Sequence, residues 1–270
     1  MTSNLDLPEL NGRRKLYLGI QDENFPDSVY ACTKVRQLKP KKAKAIFSSQ
    51  GVSGEILFEQ VSPFNPTDMT LHLQGLAQQA GGFHVHALPT GPPKNPGEST
   101  CGKTLGHFNP YKVDPSVSPL PGLGSHDQYE AGDLSGKHGL LSDIEEVQAT
   151  VTDHNLPVFG SRSIIGRSIV IHKAIGSRWV CANIRQDVPV LRAAVVFRYP
   201  LIGEIIFEQE HDDPLADTTI LVGPLVYSDG SHNDTNKHDW HIHVDIPGKD
   251  FYDWQNRCVS AGPHYNPYEV

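Results

Sequence analysis

The chain has 270 residues, 38% hydrophobic and 20% charged, enough apolar material for a packed core in one or two domains. A net charge of −8 argues against a nucleic-acid partner, because no basic stripe is present to meet phosphates. The apolar stretches are far shorter than the roughly 20 residues of a transmembrane helix. The sequence after Met1 shows no signal-peptide pattern.

Alternating apolar and polar residues predict short β-strands separated by turns. Together with 24 glycines and 21 prolines, this pattern favours an all-β sandwich or barrel. Residues 90–141 contain no strand of convincing length, and so long a loop in a compact domain is usually functional. The predicted strands are 52–60, 69–75, 83–86, 147–151, 167–172 and 178–184.

Parts of the chain repeat each other. The segment that starts at Cys32 matches the one that starts at Cys181, 149 positions later, over six residues. His84-Val-His86 and Gly106-His107-Phe-Asn-Pro110 are echoed 157 positions later by His241-Ile-His243 and Pro263-His264-Tyr-Asn-Pro267. We interpret the chain as tandem repeats: residues 1–47 are the tail of a preceding degenerate repeat with a linker, 48–187 a complete domain, and 188–270 a truncated second repeat.

The four cysteines allow three pairings. The repeat places Cys101 and Cys181 in one unit, Cys32 in the unit before and Cys258 in the unit after. It therefore predicts a Cys101–Cys181 disulfide, with two buried free thiols as the alternative. A disulfide indicates an oxidising compartment.

Histidines on the strand 83–86 are the first candidate metal ligands. Residues two apart on a strand point the same way, so His84 and His86 share a face, and imidazoles suit zinc, copper and iron. The second copy at His241 and His243 strengthens this interpretation. His172 ends another apolar strand, where a half-buried structural histidine is the alternative.

These motifs resemble the Cu/Zn superoxide dismutase family over residues 51–187, and again over 200–267. The resemblance implies an eight-stranded Greek-key β-barrel or flattened sandwich, the Cys101–Cys181 disulfide, and Arg178 as the residue that guides superoxide. The motifs that carry it occur in the family's order: Gly82-Phe-His-Val-His86, Cys101, Gly106-His-Phe-Asn-Pro110, Gly132-Asp-Leu134, Ile164-Ile-Gly-Arg167, Ile171-His172 and Ser177-Arg-Trp-Val-Cys-Ala182. The implied copper ligands are His84, His86, His107 and His172.

Two departures resemble the copper-only branch of the family, so zinc is not expected. Asp133 matches the aspartate of the zinc site, but Glu130 stands where the zinc enzymes have a histidine, and only residues 173–177 separate His172 from Arg178. The resemblance makes Glu130 the acceptor for the non-copper nitrogen of His107, with solvated loop carboxylates at 130 and 133 as the alternative. A zinc site through His126, Asp133 and His107 is the other alternative.

The predicted activity is copper-dependent disproportionation of superoxide, with neighbouring dismutase-like repeats as partners and an extracellular or cell-surface location. His241, His243 and His264 form a partial second site, whose fourth ligand would lie beyond residue 270. The alternative from another class is a non-catalytic extracellular repeat scaffold or copper-binding protein. A zinc hydrolase is disfavoured, because a fourth histidine would close the position that such enzymes keep open.

Overall fold

The computed structural model of the chain describes residues 17–22, 24–34, 39–77, 79–91, 100–213, 216–223, 225–231, 239–253 and 258–267. In these ranges the strands are β1 (Tyr17–Asp22), β2 (Phe25–Lys34), β3 (Lys41–Ser49), β4 (Val52–Gln60), β5 (Thr67–Gln74), β6 (Ala80–His86), β7 (Glu146–Asp153), β8 (Ser168–Lys173), β9 (Arg178–Gln186), β10 (Val190–Phe197), β11 (Leu201–Glu210), β12 (Thr219–Val222) and β13 (Val226–Tyr227). One α-helix, α1 (Leu134–His138), and the 3-10 helices Thr100–Lys103, Pro115–Val117, His126–Gln128, Lys249–Tyr252 and Val259–Ala261 complete them.

The central element is a seven-stranded antiparallel sheet in the order β6-β8-β9-β3-β4-β5-β7. This curled sheet confirms the predicted all-β Greek-key barrel and each of the six predicted strands. The sheet has seven strands where the resemblance implies eight. The short helix α1, rather than another strand, lies within the long loop and packs against β6. No helix in the described ranges is long and apolar enough to span a membrane.

The sheet of the barrel includes a strand that begins before residue 48, the predicted start of the complete domain. β3 begins at Lys41 and pairs with β4 along its whole length, from Lys41 opposite Gln60 to Ser49 opposite Val52. It also pairs with β9 at Ala43–Ala45. Ala43, Ala45 and Phe47 of β3 are buried, but Lys41 shares their side and the exposed Ile46 lies on the opposite side, so the sequence does not alternate cleanly between apolar and polar residues. The complete barrel therefore includes residue 41 onward.

The barrel core is made by alternate residues of these strands. Ile56, Phe58, Met69 and Leu71 are each at most 4% exposed, and each such side chain contributes about 1.5–3 kcal/mol on burial. On β6 the same alternation buries Phe83 and Val85 in the core. Side chains of successive strand residues point to opposite faces, so the core residues force His84 and His86 to the other face.

Two smaller sheets flank the barrel. β10, β11 and β12 repeat the β3-β4-β5 meander, with Ala193 opposite Phe207 as Ala43 is opposite Phe58. β1 and β2 form a hairpin on their own, with the same kind of register shift (Ile20 to Gln21) that β8 and β9 show after Ile171. Other parts of the two flanking segments, including residues 1–16, lie outside the described residues.

Candidate metal centre

Four histidines from three parts of the barrel meet at one point. β6 supplies His84 and His86, β8 supplies His172 near its end, and His107 joins through an isolated antiparallel bridge to His86. One nitrogen from each ring lies within 4.8 Å of the others. The structure therefore brings together all four residues that the sequence pointed to.

Backbone and carboxylate oxygens fix the orientation of three of the rings. The Nδ1 of His86 lies 2.7 Å from the Leu105 carbonyl oxygen, and that of His172 lies 2.9 Å from the Gly176 carbonyl oxygen. The Nδ1 of His107 lies 2.7 Å from Oε2 of Glu130. Because these oxygens accept, each Nδ1 must carry the hydrogen, which leaves each Nε2 with a free lone pair.

The free lone pairs face one another. Nε2 of His86 and Nε2 of His172 are 3.2 Å apart. His84 has the opposite orientation: its Nε2 is 3.4 Å from Oδ1 of Asp133, and its buried Nδ1 has no hydrogen-bond partner. An unpartnered buried polar atom is costly, and a metal ion at this point would satisfy all four nitrogens. Four imidazole donors fit copper well.

Burial keeps these imidazoles in the neutral form that binds metal. Desolvation lowers the pKa of His86 from 6.5 to about 4, only partly opposed by the hydrogen bond to Leu105. The same cause lowers the pKa of His84 and of His172. At pH 7 these rings are therefore uncharged, so metal binding has few protons to displace.

The long loop between β6 and β7 carries the two carboxylates next to the histidines. Glu130 also accepts a hydrogen bond from the Asn109 amide at 3.1 Å. Asp133 caps α1 by accepting from the Gly136 N–H at 2.7 Å. Burial acts to raise the pKa of Asp133, but hydrogen bonds from His84 and Gly136 outweigh it and lower the pKa. Both carboxylates are thus bonded parts of the site rather than solvated loop residues.

The disulfide and Arg178 form a second layer beside the histidines. Cys101 and Cys181 are bonded, as predicted, and the bond ties the 3-10 helix at 100–103 to β9. The Arg178 guanidinium donates to the Cys101 and Gly102 carbonyl oxygens at 2.9 and 3.1 Å, and also to that of Leu105. Since the Leu105 carbonyl also orients His86, Arg178 is connected to the histidine cluster through one backbone group.

The predicted partial site resembles the complete one in two contacts, although the ring centroids of His241 and His243 are 4.9 Å apart, against 6.4 Å for His84 and His86. The ring centroids of His241 and His264 are 3.8 Å apart, against 3.9 Å for His84 and His107. His243 bonds the Gly262 carbonyl oxygen at 2.7 Å, as His86 bonds that of Leu105. Three imidazole nitrogens meet here, but no fourth ligand joins them in the described residues.

His126 takes no part in the main cluster. Its Nδ1 lies 3.6 Å from Asp153, and the group of possible ligands that contains it comprises His138 and Asp153, not His107 or Asp133. No sequence pattern predicted the group of His126, His138 and Asp153, because these residues lie in a 3-10 helix, at the end of α1 and at the end of β7. The Leu105 and Gly176 carbonyl oxygens were missed as well, since a backbone acceptor leaves no mark on residue type.

An all-β barrel with a four-histidine cluster at its edge defines a metal-binding β-barrel protein, and comparisons narrow the class. Residues 52–178 match the family model described as copper/zinc superoxide dismutase. The copper(II) form of superoxide dismutase 5 from Candida albicans is 30% identical, with 55% of this chain and 92% of that chain covered and a TM-score of 0.46. A variant of the same enzyme is 29% identical over 56% and 92%, with a TM-score of 0.47. The chain belongs to the copper/zinc superoxide dismutase family.

Proposed function

We propose that the chain is a copper-dependent superoxide dismutase whose copper site is open and works without zinc. The observation that carries the proposal is the set of four free imidazole nitrogens, one Nδ1 and three Nε2, that converge with no other partner. Family membership and the copper(II) relative support dismutase chemistry with copper. Bound copper would be held by His84, His86, His107 and His172.

The reaction converts two superoxide anions and two protons into one O2 and one H2O2. Copper supplies the one-electron chemistry, in which one superoxide is oxidised and the next is reduced. The protein must supply protons and attract an anion to a chain with net charge −8. Two of its residues are suited to these tasks.

Glu130 is suited to holding the proton that the reaction needs. Its carboxylate holds the Nδ1–H of His107 at 2.7 Å, which orients the ring and raises the basicity of the other nitrogen. Copper would be held at Nε2 of His107; where no metal occupies this nitrogen it can take up a proton, and the Glu130 carboxylate would stabilise the resulting imidazolium. In this role Glu130 holds a proton on Nδ1 of His107, next to the histidine cluster.

Arg178 is suited to the anion. Its guanidinium is held beside the cluster by carbonyl oxygens, and carbonyls leave its positive charge uncompensated. A local positive field matters more to an approaching anion than the net charge of the whole molecule. We therefore assign Arg178 to the guidance of superoxide.

The zinc-free assignment rests on the same residues. A metal at Nδ1 of His107 would have to displace Glu130, which already bonds this atom. The segment between His172 and Arg178 is a tight turn in which the Gly176 N–H bonds the Lys173 carbonyl oxygen at 2.8 Å. So short a turn covers little of the site, and the His107 side chain remains 32% exposed.

For the rest of the chain we propose a tandem-repeat organisation. The complete domain is the predicted 48–187 unit extended to Lys41, with a preceding repeat tail and a truncated second repeat on either side as neighbours. The disulfide supports an extracellular or cell-surface location, because such bonds persist in oxidising environments. The competing function is a non-catalytic scaffold or copper-binding repeat protein.

The deciding experiment loads the full chain with copper alone and measures bound metal and superoxide turnover together. Fast turnover without zinc is expected, with loss of turnover and of one copper in His172→Ala. The matched control His243→Ala affects only the three-histidine site and should keep the activity. Stoichiometric copper without turnover would favour the scaffold, and a requirement for added zinc would contradict the zinc-free site.

A further inference from the structure

A fully buried lysine lies behind the carboxylate loop. The Lys137 side chain on α1 is 0% exposed, as is the side chain of its partner Asp153, and the two are 2.6 Å apart. The same ammonium donates to the Ala131 carbonyl oxygen at 2.8 Å and to Oδ1 of Asn155 at 2.9 Å. All three donor hydrogens of the lysine therefore have an oxygen acceptor.

Asp153 gathers the remaining groups of this cluster. Its carboxylate lies 3.0 Å from Nε2 of His138 and accepts from the Asn155 N–H at 3.0 Å, with Nδ1 of His126 farther away at 3.6 Å. Nδ1 of His126 in turn accepts from the His154 N–H at 2.9 Å. Because Lys137 already neutralises the carboxylate and His126 is already bonded, a divalent cation here would have to displace a paired ammonium.

The contact with Ala131 connects this cluster to the metal site. Ala131 lies in the turn between Glu130 and Asp133, in which the Asp133 N–H bonds the Glu130 carbonyl oxygen at 2.9 Å. The Gly132 N–H bonds the Phe108 carbonyl oxygen at 2.7 Å, one residue after His107. A Cβ at Gly132 would come within 2.3 Å of the Val85 carbonyl oxygen, so this turn is packed directly onto the strand that carries the histidines.

We propose that Lys137 is a positioning residue, an internal cation that holds the 130–133 turn so that Glu130 meets His107 and Asp133 meets His84. Asp153 anchors this cation to the end of β7, and thereby fixes the loop to the barrel. The consequence for catalysis rests on the proposed dismutase function, but the positioning itself is a property of the protein without copper.

If the Lys137–Asp153 pair only stabilised the fold and did not position the 130–133 turn, its variants would behave differently. Removing one charge of a buried pair leaves the other uncompensated and destabilises any protein, whereas removing both is often tolerated. The double variant Lys137→Met/Asp153→Asn removes both charges and the bond to Ala131. Asp153→Asn alone leaves the buried Lys137 charge uncompensated, so it is expected to destabilise the whole barrel. Comparison of these two variants separates positioning from global stability, and Lys44→Met, which removes the exposed pair with Asp187, is a control.

The first measurement is amide hydrogen exchange on the copper-free full chain. In the double variant, exchange at Gly132 and Asp133 is expected to accelerate roughly tenfold or more, the effect of losing one hydrogen bond, while the β4–β5 ladder stays protected. Lys44→Met should leave both turn amides near their original rates, whereas Asp153→Asn should speed exchange in the β4–β5 ladder as well as at the turn. Unchanged exchange at the turn in a folded double variant would overturn the proposal.

The second measurement is the pH profile of turnover after copper loading. The double variant should acquire the profile of Glu130→Gln, whereas Lys44→Met should keep that of the unmodified chain. Faster exchange with an unmoved profile would also overturn the proposal, since the turn would then not set Glu130. If the unmodified chain shows no turnover, the proposed function fails, and the exchange result on the copper-free chain still decides whether Lys137 holds the turn.

Discussion

Replacement of Glu130 by glutamine tests the proton role with almost no change in shape. The carboxylate lies 2.7 Å from Nδ1 of His107, and its side chain is 13% exposed, so water screens the contact little. Glutamine can still accept the Nδ1–H through its amide oxygen. What disappears is the charge, and hydrogen bonds to charged groups contribute about 1.5–3 kcal/mol against about 0.5–1.5 kcal/mol for neutral ones.

The expected loss is therefore about 1–1.5 kcal/mol of stabilisation of the protonated His107, or roughly tenfold in turnover. Because glutamine cannot hold a proton, the rate should also fall more steeply as the pH rises from 6 to 9. Stopped-flow or pulse-radiolysis turnover across this range, with copper content measured for each sample, gives both quantities. Glu59→Gln is the control, because Glu59 pairs only with exposed Lys42 on the barrel. Equal rates and an unaltered pH profile in Glu130→Gln would refute the assignment.

Three further perturbations have definite outcomes. Arg178→Glu should lower the second-order rate at least about tenfold and reverse its dependence on salt, and an unchanged rate would remove Arg178 from guidance. Cys101→Ser opens an 80-residue loop and should cost roughly 4–5 kcal/mol in chemical denaturation, together with part of the activity; equal stability would show that the bond contributes little. In the copper-free chain, the lowered pKa of His86 gives the fold stability above pH 6.5 that is lost as the pH falls toward 4. The melting temperature should therefore drop from pH 7 to pH 5, and a flat profile would contradict the burial of neutral His86.

The site side chains could be predicted from the sequence, but the strand and the buried lysine that hold them in place could not. His84 and His86 could be placed on one face because strand geometry is fixed at two residues per repeat. The strand β3 was not predicted because Lys41 and the exposed Ile46 break its alternation of apolar and polar residues, although the strand completes the sheet between β4 and β9. The role of Lys137 was not predicted for another reason. A lysine near a loop is ordinarily solvated, and only the fold brings Lys137 to Asp153.

Segments of the chain that resemble one another separate what the fold preserves from what the chemistry requires. The carbonyl oxygen that orients His86 has its counterpart at Gly262 for His243, because backbone geometry repeats whenever the fold does. In the β1–β2 hairpin the register shift also recurs, but the paired positions that hold His172 and Arg178 in β8–β9 hold Gln21 and Val29. An amide and a valine supply neither an imidazole ligand nor a positive charge. Such a segment can therefore keep its framework while single substitutions remove the fourth ligand and the guiding charge. Within the described residues, the fourth histidine and the arginine are present together only in the complete barrel.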